Sequence, residues 1–163
     1  MSIQNYNKRK RLQELGEDAA YTFKGLYKTA DWLRLEYKIL LFITLSFSII
    51  VLGFNDSLPG LWVKIISVVA LIASVWLLIN QKEYEKVEDY MRLADKYKNL
   101  FDKIRNTYYS KSFENIEALQ QEMNNLREES HKYPIGKIAR WWSRRVIEKE
   151  MNLGWIYEEC NEK

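Results

Sequence analysis

Two stretches decide how this chain folds: ILLFITLSFSIIVLGFN at residues 39–55 and IISVVALIASVWLLINQ at residues 65–81. Each is 17 residues long and neither contains a charge. At about 1.5 Å rise per residue, such a helix is roughly 25 Å long, the lower end of what crosses a hydrocarbon core near 30 Å. Tyr37, Lys38, Leu61, Trp62, Lys82 and Tyr84 flank the stretches. They supply the remainder by snorkelling or by seating an amphipathic ring at the interface. Between the stretches, Asn55, Asp56 and Ser57 are turn formers and Pro59-Gly60 is a strong breaker pair. The reading is a membrane-spanning helical hairpin. The competing reading is a pair of core helices in a soluble bundle. It would ask the rest of a 163-residue chain to cover two cylinders that are apolar all round. A cleaved signal peptide does not fit, because the first apolar stretch begins near residue 39 and no small-residue cleavage pattern follows it.

Working outward, the net charge is +3 and its distribution carries information. Residues 1–38 hold eight Lys/Arg against five acids, and residues 82–163 hold sixteen against sixteen. The hairpin loop has only Asp56 and Lys64, so 24 of the 25 basic residues lie outside the hairpin. The positive-inside rule then places both termini in the cytoplasm with the loop outside. Cys160 is the single cysteine, so no disulfide forms within the chain. With two prolines and six glycines, the composition is that of an almost wholly helical protein.

The expected organisation has three parts. Residues 1–38 form a basic tail and an amphipathic helix, residues 39–81 the transmembrane hairpin, and residues 82–163 a cytoplasmic helical region. The first seven residues are expected to be disordered, followed by the cluster Lys8-Arg9-Lys10-Arg11. Leu12, Leu15, Ala19, Phe23, Leu26, Ala30, Leu33 and Tyr37 then step by three and four along one helix face. Gly16 and Gly25 weaken that helix by up to about 1 kcal/mol each, which makes a bend or break there plausible. After the second span, Tyr84, Val87, Met91, Ala94, Tyr97, Phe101, Ile104 and Tyr108 continue the same spacing. The second span is therefore expected to run on as one rod to about Tyr109, roughly 67 Å over some 45 residues. Ser112 is the expected N-cap of the next helix, with Glu114 in its first turn. Phe113, Ile116, Leu119 or Gln120, Met123 and Leu126 form its stripe. Pro134 is expected to start a final helix with Ile135, Ile138, Trp142 and Val146 inward, Met151 next in the series and Gly154 at its end. The fold class is an all-α membrane protein: a two-helix hairpin with a cytoplasmic bundle formed by the long helices before and after it.

The chemistry these residues permit is limited. His131 is the only histidine, so neither a His-containing triad with Cys160 nor a Cys/His zinc site assembles within one chain. There is no glycine-rich phosphate loop. Glu83, Glu85, Glu88 and Asp89 alternate with lysines, the pattern of a solvated helix face. No catalytic, cofactor or metal residue is assigned, and an enzyme is the function class the sequence argues against most clearly. The spans also lack the intramembrane ionisable residue that a pump or proton relay requires. They offer instead small and hydroxylated positions: Thr44 and Ser48 on one face, with Ser46 and Gly53 more loosely, and Ser67, Ala70 and Ser74 on another. Those faces are read either as close helix packing or, in an oligomer, as the lining of a narrow, weakly polar pore. In the last helix Lys137, Arg140 and Arg144 form a stripe, beside Arg145, Trp141 and Trp142. That helix suits salt bridges within the bundle, an anionic membrane surface, an acidic partner helix or a phosphate-containing ligand. No sequence-specific nucleic-acid binding is expected, since no reading motif accompanies the charges.

Three segments carry a resemblance: Ala30-Asp31-Trp32-Leu33, the run Tyr90-Met91-Arg92-Leu93-Ala94-Asp95-Lys96-Tyr97-Lys98-Asn99-Leu100, and Ser130-His131-Lys132-Tyr133-Pro134-Ile135 with its basic helix. With the hairpin between the first two, the chain resembles the SLATT family along nearly its whole length. These are two-helix membrane effectors associating with SMODS nucleotidyltransferases and SLOG sensors in bacterial conflict systems. The resemblance implies an oligomeric effector that disrupts the membrane when a partner signals infection. Its implied partners are the bilayer, further copies of the chain, and a nucleotidyltransferase or reverse transcriptase. The alternative expectation is a membrane-anchored scaffold that docks a partner enzyme, and a holin-like lysis protein stands third.

Overall fold

A chain poor in breakers folds into long helices, and the computed structural model bears this out for residues 3–54, 59–111, 115–150 and 153–157, which are the residues it describes. Helix α1 is Ile3–Phe54, α2 Gly60–Ile79, α3 Gln81–Glu85, α4 Val87–Ser110, α5 Ile116–Ser130, α6 Lys137–Glu150 and α7 Gly154–Tyr157. Among the described residues there is no strand. The chain divides into two compact units, one of Met1–Ala30 with Asp89–Lys163 and one of Asp31–Glu88.

The first unit buries the stripes that periodicity selects. Leu12, Leu15, Ala19, Phe23, Leu26 and Ala30 of α1 are buried, as are Ala94, Tyr97, Phe101, Ile104 and Tyr108 of α4. Tyr90, Leu93 and Leu100 broaden the α4 face, and α5 adds Ile116, Leu119, Met123 and Leu126. Surface ion pairs fix how α5 lies: Lys96 to Glu129 at 2.7 Å, Lys103 to Glu122 at 2.8 Å, and Arg127 to Asp18 of α1. Each is exposed and adds about 0–1 kcal/mol, so burial dominates. The Tyr90 hydroxyl donates to the Pro134 carbonyl at 3.1 Å and its ring meets Tyr133 edge-on, which pins the connection into α6.

Several expectations change. Residues 3–7 are helical, where disorder was expected. Helix α1 passes through Gly16 and Gly25 unbroken, because both glycines are contact points with later residues, Trp155 and Ile135. The long rod after the second span is interrupted at Asn80 and Lys86. Asn80 ends α2 with φ −96 and ψ 8, and its amide Nδ2 donates to the Trp76 carbonyl at 3.0 Å. That is the local side-chain bonding by which Asn competes with a continuing helix. Helix α4 then ends at Lys111, in the left-handed region at φ 55. Helix α5 begins after Asn115, and Ser112, Phe113 and Glu114 lie outside the described residues. Helix α6 begins at Lys137, three residues beyond Pro134. Gly154 opens the short α7, and Met151 and Cys160 lie outside the described residues.

Candidate functional site

In the second unit, the two apolar stretches lie side by side and are otherwise uncovered. Ile39, Phe42, Leu45, Ile49 and Leu52 of α1 are exposed, as are Leu61, Ile65, Val68, Leu71, Ile72, Val75, Leu78 and Ile79 of α2. Ala73 is the one buried residue of α2. A soluble core helix would be covered by its own chain, whereas here both windows are long and apolar enough to cross a membrane and almost nothing in the chain hides them. Leu40, Ile43, Thr44, Phe47 and Ile50 of α1 are half-buried, as are Val63, Ile66, Ala70, Ser74 and Leu77 of α2, and Leu40 and Ile43 line one groove with Val69, Ile72 and Ala73. The candidate face therefore divides. Thr44, Ala70 and Ser74 are half-buried, while Ser48 and Ser67 point outward. Thr44 donates to the Leu40 carbonyl at 2.9 Å, Ser48 to Thr44 at 2.7 Å and Ser74 to Ala70 at 2.9 Å. Each hydroxyl is satisfied inside its own helix and keeps lone pairs for a further donor. The turn residues 55–58 lie outside the described residues, and Pro59 leads directly into α2, its carbonyl accepting from Trp62 N–H at 2.9 Å.

At the polar end of the hairpin, aromatic groups gather round one carboxylate. The Trp76 indole donates to Glu36 at 2.8 Å, and the Tyr37 and Tyr84 rings meet edge-on at 5.3 Å. Burial, followed by the Glu36 charge, pushes the Tyr84 phenol above its ordinary value. Leu33, Arg34, Tyr37, Leu77, Tyr84 and Glu88 line a cavity of about 560 Å³ there. Trp and Tyr at the end of an apolar helix are the side chains that seat at a membrane–water boundary.

The basic helix docks otherwise than the apolar spacing predicts. Ala139, Ser143 and Ile147 are its buried row, Val146 is half-buried, and Ile138, Trp141 and Trp142 face outward. Ile135 is half-buried in the connection, against Gly25. Small Ala139 and Ser143 let α6 approach closely, and the Ser143 hydroxyl is satisfied by the Arg140 carbonyl at 2.9 Å. Among the described residues, Lys137, Arg140, Arg144 and Arg145 make no ion pair. Arg144 lines a groove with Glu14, Glu17, Asp18 and Tyr21 of α1. Arg145 lies over the Trp141 ring at 4.9 Å, and Lys28 over Trp142 at 5.7 Å.

A family model matches the sequence over nearly its whole length. The SMODS and SLOG-associating 2TM effector domain 6, SLATT_6, matches residues 3–163. The chain belongs to the SLATT family. No curated protein and no solved structure matches it significantly. As a SLATT protein the chain is a two-span membrane effector of the kind associated with antiphage defence, and its family is not a known catalytic one. Among the described residues no three His, Cys, Asp or Glu side chains gather as a metal would require.

One anchor of this SLATT chain escaped sequence reasoning. Trp155, in a tail that the apolar spacing does not place, is buried against Phe101 and Tyr108, with ring centroids at 6.0 and 4.8 Å. Its carbonyl accepts from buried Gln13 at 2.8 Å, and Arg9 lies over Tyr108 and donates to its hydroxyl at 2.7 Å. An isolated glycine on an otherwise regular apolar face, Gly16, was the available signal that a large ring comes close.

Proposed function

We propose that this chain is an oligomeric, pore-forming or membrane-disrupting effector of a bacterial antiphage defence system, triggered by a partner protein or a nucleotide signal. The observation that supports this reading best is the hairpin: two uncharged helical stretches left uncovered by their own chain, with hydroxyls on exposed as well as half-buried positions. Two helices cannot enclose a channel, so conduction requires several copies. Outward Ser48 and Ser67 are the polar positions available for contacts between copies. The excess of Lys and Arg outside the hairpin supports an inner-membrane location with both termini in the cytoplasm. The packed helical unit would receive the trigger from a nucleotidyltransferase or reverse transcriptase.

The test is membrane potential in cells producing the full chain, alone and with its activating partner. Rapid depolarisation on activation, reduced by Thr44→Leu with membrane insertion retained, is the expected result. An intact potential under activation overturns pore formation and favours the scaffold that holds a partner enzyme at the membrane.

A further inference from the structure

Helix α6 holds the fold with one side and leaves most of the other exposed. Its buried row is Ala139, Ser143 and Ile147. On the other side Ile138, Trp141 and Trp142 are 53, 56 and 51% exposed. Two indoles and an isoleucine kept in solvent by so short a helix mark a surface that meets something. Lys137 flanks that exposed row and Arg145 lies within it over the Trp141 ring, both with no ion pair among the described residues, while Arg140 and Arg144 lie on the flank where Arg144 shares its groove with Glu14, Glu17 and Asp18.

We infer that the outward face of α6 lies on an anionic lipid surface, with Lys137 and Arg145 against headgroup phosphates and Ile138, Trp141 and Trp142 seated at headgroup depth. Charge complementarity identifies the occupant: cations with no ion pair among the described residues meet an anionic leaflet, and indoles beside them are the rings that prefer the boundary between water and hydrocarbon. Tethering strengthens the choice. The hairpin holds the chain in a bilayer, so this is the surface α6 meets at the highest effective concentration. The inference rests on the two-span reading and is independent of pore formation.

The full chain with Cys160→Ala and Ile138→Cys, labelled with an environment-sensitive dye, is reconstituted into vesicles of phosphatidylcholine alone or mixed with phosphatidylglycerol. The expected result is a blue shift and protection from acrylamide in the anionic vesicles only, weakened by added salt. Lys137→Glu with Arg145→Glu should abolish the shift, and Arg144→Gln should retain it. Circular dichroism of each variant verifies folding, and co-flotation with both vesicle types tests the hairpin separately. Equal emission in the two bilayers overturns the inference. A label wet in both leaves the face to an acidic protein partner, and a label dry in both makes the contact apolar and charge-independent. A chain that fails to float overturns both the hairpin and this inference.

Discussion

Gly16 and Gly25 stand inside α1, where glycine costs a helix up to about 1 kcal/mol relative to alanine. Their neighbours account for them. A Cβ on Gly16 would come within 2.5 Å of Trp155 Cη2 and 3.2 Å of Cζ2, the rigid edge of a ring backed by other aromatics. A Cβ on Gly25 would come within 2.8 Å of Ile135 Cδ1, the free end of a side chain that can rotate. Gly16→Ala is expected to destabilise, because overpacking of about 1–3 kcal/mol exceeds the gain in helix propensity. Gly25→Ala is expected to be close to neutral. Thermal unfolding in detergent, followed by tryptophan fluorescence, reads both, and a Gly16→Ala midpoint at or above wild type would show that Trp155 yields. Tyr27 gives a pH prediction. Its hydroxyl donates to Asp95, and burial first, then that carboxylate, push its ionisation from 10.0 up to about 12. The folded state favours the neutral phenol, so its contribution is complete below pH 10 and is lost as pH rises from there through 12. Absorbance titration should show a late-ionising tyrosine that Tyr27→Phe removes and Asp95→Asn brings earlier. A profile indifferent to Asp95→Asn would eliminate the carboxylate as a cause. The partners of these residues were not legible in the sequence. A spacing of three and four tells which way Gly16 and Tyr27 face, and leaves unsaid which distant side chain arrives opposite.

Among the elements, legibility followed how one-sided each helix is. The α1 stripe from Leu12 to Ala30, the α4 stripe and the α5 stripe were all readable, since each has a single apolar face. Helix α6 has two: a small-residue row at Ala139 and Ser143, and a larger apolar row at Ile138, Trp141 and Trp142. Hydrophobicity alone chooses the larger row as inward, and the structure chooses the smaller one because it allows closer approach. Ser143→Leu is therefore expected to destabilise the first unit by roughly 1–3 kcal/mol through overpacking at a position that is 1% exposed. Ile138→Ala, on the outward face, is expected to stay within about 0.5 kcal/mol. Comparing the two unfolding midpoints checks the orientation of α6, and the reverse ranking would mean that Ile138 is the packed side. The interruption at Asn80 was illegible for a different reason: an Asn inside a helical pattern can project into solvent or bond back to its own backbone, and only the geometry tells which.

At the level of the whole molecule, the hairpin was the most legible feature, since two uncharged stretches with a turn between them have few homes besides a bilayer. Which hydroxyls the chain itself covers and which stay exposed was hidden, because Thr44 and Ser48 share one stripe in sequence yet differ in exposure. Thr44 and Ser74 are half-buried by their own chain, and exposed Ser48 and Ser67 are the hydroxyls open to the contacts between copies that the proposed function requires. On that division, Ser48→Leu with Ser67→Leu should weaken self-association while the hairpin still inserts. Interhelical hydrogen bonds in membranes average about 0.6 kcal/mol each, so the pair of substitutions should lower the association constant roughly eightfold. Cross-linking of the full chain across a dilution series in lipid reads this directly. Thr44→Leu should instead disturb the packing of α1 on α2, a change visible in the distance between labels placed on the two helices of a single copy. If Ser48→Leu with Ser67→Leu left the cross-linked distribution unchanged, copies would associate through another surface, and the outward hydroxyls would be facing lipid alone.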